Sequence, residues 1–153
     1  MRMDMDCIRD ILFQAEENSF SICYDSYEDK YDDESLLNFQ FVKKYPAEKL
    51  LYHINLANEF GLIKIFQTTT YTTVSDLSTE GHLFLANIRE DNVWNKTKEI
   101  SNKLGATSLD AVKTIATNVI SGLILNYFQR WYVGNFNDYT FFCGVWSIII
   151  FNL

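Results

Sequence analysis

The residues whose types and spacing best suit a chemical role are cations and amides gathered around one short stretch, Tyr45 to Phe60. Lys43, Lys44, Lys49 and Lys64 lie in or beside it, and Tyr52 and Asn55 fall opposite its apolar positions. Lysine holds phosphate as a point charge, and Lys and Asn side chains pair with guanine and adenine edges in a major groove. The chemistry this suggests is reading of DNA by a helix. Glu48, Leu56 and Glu59 share the same face, however, and the four lysines less two glutamates leave only +2 from Lys43 to Lys64 in a chain of net charge −7. Phosphate contacts supply most non-specific affinity for nucleic acid, so the same helix reads equally well as one that contacts a protein.

A second cluster is acidic. Asp25, Glu28, Asp29, Asp32, Asp33 and Glu34 stand against Lys30 alone, six carboxylates to one lysine, a local −5. Such a block is either a solvated loop or a surface that imitates nucleic acid toward a basic partner. Calcium is not expected, because the loop has no glycine at its sixth position and no glutamate at its twelfth, counted from Asp25. Cys7, Cys23 and Cys143 are scattered without metal spacing, and His53 and His82 read as structural, with His82 expected to orient a β-ribbon against the helix that follows it. Without a glycine-rich phosphate loop, a nucleophile elbow or paired carboxylates, the expectation is a non-enzymatic protein with no cofactor and no metal.

The elements that must position these residues are legible from spacing. Pro46 suits the first turn of a helix beginning near Tyr45, in which Leu50, Ile54, Ala57 and Gly61 keep one stripe, and Gly61 suits its left-handed end. Leu62–Phe66 and Tyr71–Leu77 are rich in β-branched and aromatic residues and flank the polar Gln67–Thr70, which predicts a hairpin. Ser78 or Thr79 caps a further helix with Leu83, Phe84 and Ile88 on its apolar side. Upstream, Asp4 or Asp6 caps a helix through Met5, Ile8, Leu12 and Ala15, and Ser19–Tyr24 alternates as a short strand able to pair with the hairpin. Glu34–Phe41 suits a short helix through Leu36, Leu37 and Phe41, the first partner of a helix-turn-helix, while Phe39–Val42 suits a strand equally. Downstream, Asp91–Leu104 is helical with Trp94 as its anchor and Gly105 as its stop, and Ser108 caps a final helix reaching to about Phe128.

Helix, ribbon and helix in that order form the pattern of winged-helix regulators, which NEFGLIKI followed by LSTEGHLFL resembles. More closely, Glu80-Gly81-His82, Ile88-Arg89, Val93-Trp94-Asn95-Lys96 and Ser108-Leu109, with the opening MDMDCIRDIL, resemble a phage- and prophage-associated family of domains of unknown function, from about Met5 to Leu125. The resemblance implies a winged-helix-like domain carried by mobile elements and transfers no functional residue.

The 153 residues are enough for one core, 48 % of them apolar and one of them proline, which favours long regular elements. The expected fold is α+β: a winged helix-turn-helix core with added C-terminal helices over residues 1–128, and a hydrophobic tail, 129–153, packed on the same domain. Phe141–Phe151 is too short to span a bilayer. The expected function is that of a phage or prophage regulator or adaptor that binds DNA or a host or phage protein. The alternative is an acidic module that blocks a nucleic-acid-binding host or defence protein. The C-terminal helices or the tail are candidates for a homodimer contact, and the scattered cysteines with no signal peptide predict a reducing cytoplasm.

Overall fold

In a computed structural model of the protein, residues 1–23, 44–106 and 108–135 are described. They contain five helices and one three-stranded antiparallel sheet, an α+β arrangement. The acidic cluster, Lys43, the Glu34–Phe41 segment and the tail beyond Asn135 lie outside the described residues. By contacts the chain divides into two units, Met1–Val119 and Ile120–Leu153.

Helix α1 spans Met5–Glu17 and begins at Asp4, whose carboxylate accepts from the N–H groups of Asp6 and Cys7 at 2.9 and 3.3 Å. Its buried side is Cys7, Ile8, Ile11, Leu12 and Ala15, wider than the expected stripe. Strand β1, Phe20–Cys23, follows at once and pairs with the hairpin, Phe20 opposite Val74 and Cys23 opposite Tyr71. Helix α2 spans Ala47–Glu59, with Pro46 just outside it as the cap residue and not in its first turn. Gly61 at φ 66° ends it, its N–H bonded to Asn58 O and that of Leu62 to Ala57 O at 2.8 and 2.9 Å. These two bonds satisfy the last carbonyls and turn the chain into a strand.

Strands β2, Ile63–Gln67, and β3, Tyr71–Leu77, form the hairpin with an irregularity at Lys64/Ile65, and β3 is central in the order β1-β3-β2. Helix α3, Thr79–Ile88, starts at Ser78, whose hydroxyl accepts from Gly81 N at 3.0 Å and donates to Gly61 O. The Ser78 N–H also bonds Leu62 O at 2.9 Å, so the end of α2 and the start of α3 are sewn together. The expectations for Leu83 and His82 are corrected here: both are exposed, and Gly81, Phe84, Leu85 and Ile88 face inward. The close approach of α3 to the ribbon rests on Gly81 and Ser78, so His82 has no part in it.

Helix α4, Asp91–Leu104, is separate from α3 and stops at Gly105, φ 65°. Helix α5 runs from Leu109 to Asn135, seven residues beyond the expected end, because nothing between Phe128 and Asn135 forbids helix except Gly134. Its buried stripe of Leu109, Val112, Ala116 and Val119 stops at the boundary of the first unit, and Leu123 is exposed. Among the described residues no helix is long and apolar enough to cross a membrane.

Within the first unit, α1 packs on β3, α2 and α3 over one core that includes Leu50, Ile54, Val74 and Trp94. A polar clasp surrounds it. Asp6 accepts from Trp94 Nε1 and Lys98 Nζ at 2.7 and 2.8 Å. Arg9 donates to the carbonyls of Ile88 and Arg89 and to Asp91, and Arg89 reaches back to Glu16 at 2.6 Å. Arg9 and Arg89 both lie against the Phe13 ring, at 5.1 and 5.6 Å from its centroid.

The clasp makes an acid-stability prediction. Burial pushes the Asp4 and Asp6 carboxyls up, but hydrogen bonds from Lys49 to Asp4 and from Lys98 and Trp94 to Asp6, with backbone donors at Asp4, outweigh it and hold both below the usual aspartate value. A folded-state pKa below the unfolded one stabilises at pH above the unfolded value, about 3.9, and that contribution disappears as pH falls through the folded value. Melting temperature is expected to hold to about pH 4 and then drop, with a shallower drop for Asp6→Asn; identical acid slopes would show that Asp6 does not contribute.

Candidate macromolecule-binding face

A contiguous positive strip across Lys43, Lys44, Lys49 and Lys64 would favour nucleic acid, and an acidic or apolar face would favour protein. Three of the four lysines are described, and each meets a carboxylate. Lys49 Nζ bonds Asp4 Oδ2, Lys44 Nζ bonds Asp10 Oδ2 at 2.7 Å, and Lys64 lies 3.7 Å from Asp76 Oδ2 across the hairpin. The hydrogen bonds to Asp10 and to Asp4 raise the Lys44 and Lys49 ammonium groups above their ordinary values, so both are firmly charged but locally compensated. A phosphate approaching either would have to displace an existing partner and face the carboxylate left behind. Lys44 and Lys49 both lie over the Tyr45 ring, 5.1 and 4.9 Å from its centroid, and its hydroxyl donates to Asp10 at 2.8 Å. Burial and that contact raise the Tyr45 phenol, which stays protonated.

Behind Lys49 lies His53, fully buried, on the core side of α2 between Leu50 and Ile54. Its Nε2 accepts from Asp4 N at 2.7 Å and its Nδ1 donates to Lys49 O at 2.7 Å, the tautomer these partners require. Tyr52 packs edge-on against the His53 ring at 5.0 Å and is half-buried. Its ring therefore supports α2 from beside His53. Asn55 is exposed, and its carbonyl accepts from Gln67 Nε2 at 3.0 Å, which couples α2 to β2.

The half of the face nearer Glu59 is apolar. Leu56 is half-buried, Phe60 is partly exposed, and with Arg2, Met3, Tyr52, Ser108 and Leu109 they line a groove of about 460 Å³. The structure thus brings Lys44, Lys49, Tyr52 and Asn55 together on or beside α2, places Lys64 on the ribbon, and does not leave the described lysines as a free cationic strip. Sequence spacing could not find Asp4, Asp10, Asp76 and Gln67 as partners, since those pairs join residues between 12 and 45 positions apart. The groove was equally hidden, being assembled from three separate segments.

A family model described as "Hypothetical protein (DUF2513)" matches residues 2–108, from the N-terminal arm to the cap of α5. An uncharacterized protein of Haemophilus influenzae is 32 % identical over 129 residues, which cover 81 % of this chain and 99 % of that protein. No solved structure matches. The matched range holds the sheet, the polar clasp and the whole of α2, so the face described above lies within the shared part. The chain belongs to the family of hypothetical proteins designated DUF2513.

Proposed function

We propose that residues 1–119 are a winged-helix domain of a non-enzymatic regulator or adaptor, and that its α2 face binds a protein and not duplex DNA. The winged-helix reading is supported by helix, strand, helix and ribbon in sequence, with β3 between β1 and β2. The segment expected to complete the helix-turn-helix, Glu34–Phe41, lies outside the described residues. Phage or prophage origin rests on the resemblance in Glu80-Gly81-His82 and its neighbouring phrases alone.

The observation that carries the protein-binding reading is the pairing of Lys44, Lys49 and Lys64 with Asp10, Asp4 and Asp76 beside an apolar groove. DNA is the second reading, favoured by the Asn55–Gln67 amide pair exposed between helix and ribbon.

The deciding experiment is fluorescence anisotropy with labelled duplex DNA over a salt series. The expected result is no saturable binding at low salt. Micromolar or tighter binding whose logarithm falls with log salt at a slope of several phosphates would overturn the protein reading. In parallel, a nuclease-resistant partner retained from host lysate is expected to be lost with Phe60→Glu and kept with Glu17→Gln on the distant end of α1. A partner indifferent to Phe60→Glu binds elsewhere.

A further inference from the structure

The residues from Leu123 to Tyr132 of α5 are all exposed. Leu123, Ile124, Leu125, Tyr127 and Phe128 are 36, 50, 63, 70 and 53 % accessible. At 3.6 residues per turn, Leu123, Ile124, Tyr127 and Phe128 fall within about 140° of the circumference, and Leu125 widens the band, while Asn126, Gln129 and Arg130 take the remaining side. Arg130 is the single formally charged residue between Ile120 and Asn135. Ile120, Ile124 and Tyr127 repeat at four and three, the spacing of a seam between two helices.

The geometry points to this face as the contact between two copies of the chain, the α5 helices pairing through Leu123, Ile124, Tyr127 and Phe128. Area supports it. The exposed parts of the large apolar side chains from Leu123 to Tyr132 come to about 700 Å² per copy, and covering most of that in both reaches the ~1,200 Å² at which specific interfaces begin. A monomer seldom leaves so large an apolar patch in water.

Charge selects the partner. The chain carries −7 overall, so a cationic protein would be drawn to its acidic surfaces and finds no carboxylate here. An anionic membrane is repelled by the same charge and meets one arginine. The same stripe on a second copy matches in length, neutrality and spacing, and a two-fold axis sets each residue against the same short list of neighbours in its partner. The inference does not depend on what α2 binds; pairing makes any such binding bivalent.

Sedimentation equilibrium of the full chain tests it. The expected mass is twice the 17.9 kDa of one chain. Tyr127→Glu, and separately Phe128→Glu, are expected to halve that mass with an unchanged far-ultraviolet spectrum, while Asn126→Glu on the polar side leaves it doubled. A wild-type chain that sediments as a monomer overturns the proposal, whether the face then proves to be covered by the chain's own residues 136–153 or to bind lipid vesicles. A dimer unaffected by both apolar-face variants, or one that Asn126→Glu also dissociates, overturns it as well.

Discussion

Gly81→Ala is expected to destabilise the first unit by about 3 kcal/mol or more, the upper end of what overpacking costs. A methyl group on Gly81 would stand 1.9 Å from Leu62 O and 3.0 Å from the carbonyl carbon. Both are backbone atoms, and the carbonyl already accepts from Ser78 N, so neither can swing aside as a side-chain end could. Helix α3 would have to lift from the α2–β2 junction, carrying Phe84 and Leu85 out of the core. Gly61→Ala is the comparison: at φ 66° it is strained, yet nothing lies within 4 Å of the added methyl, so a cost of about 1 kcal/mol is expected. Urea unfolding of the three proteins gives the ranking. Equal losses for the two variants would show that α3 can move off Leu62 without penalty.

Trp94→Ala is expected to cost about 3–5 kcal/mol, the range for removing a buried large aromatic. Among the described residues Trp94 is the largest of the fully buried side chains, at 2 % exposure, and its indole N–H is a donor to Asp6 at 2.7 Å. Shape and hydrogen bond can be separated. Trp94→Phe retains most of the apolar volume but leaves Asp6 with Lys98 as its side-chain donor, so it should lose less than the alanine variant and should weaken the acid dependence described above. Stability curves at neutral pH and at about pH 3, below the ordinary aspartate value, distinguish the two contributions for the three proteins. A Phe variant as damaged as the alanine variant would assign the loss to the hydrogen bond and not to packing.

Local order was largely legible in the sequence. Asp4 and Ser78 as caps, Gly61 and Gly105 as left-handed stops, and the Leu50–Ile54–Ala57 stripe all depend on neighbours within a few residues, and spacing reports such relations directly. What spacing cannot report is which carboxylate a lysine meets after folding. Lys49 reads as an outward cation on a helix face, yet Asp4 approaches it from the start of another helix. His53 shows the same limit, since periodicity offers no reason for a histidine among leucine and isoleucine until Asp4 N and Lys49 O supply its two partners. Leu83 and Leu123 fail for a different reason: helical spacing identifies a stripe but not where the surface that buries it ends.

The clasp around α1 has a consequence for how the protein comes into being. Every partner that completes this helix arrives later in the chain: Lys49 and His53 for Asp4, Arg89 for Glu16, and Lys98, 92 residues on, for Asp6. At roughly 5–20 residues per second, a ribosome needs about 5–20 s to make the distance between Asp6 and Lys98. Until Lys49 and His53 have been made, α1 is an isolated segment of 13 residues, too short to hold itself in water, and Asp6 lacks its last partners until α4 follows. The first unit therefore cannot set from its leading end during synthesis, and its closure waits on the emergence of α4.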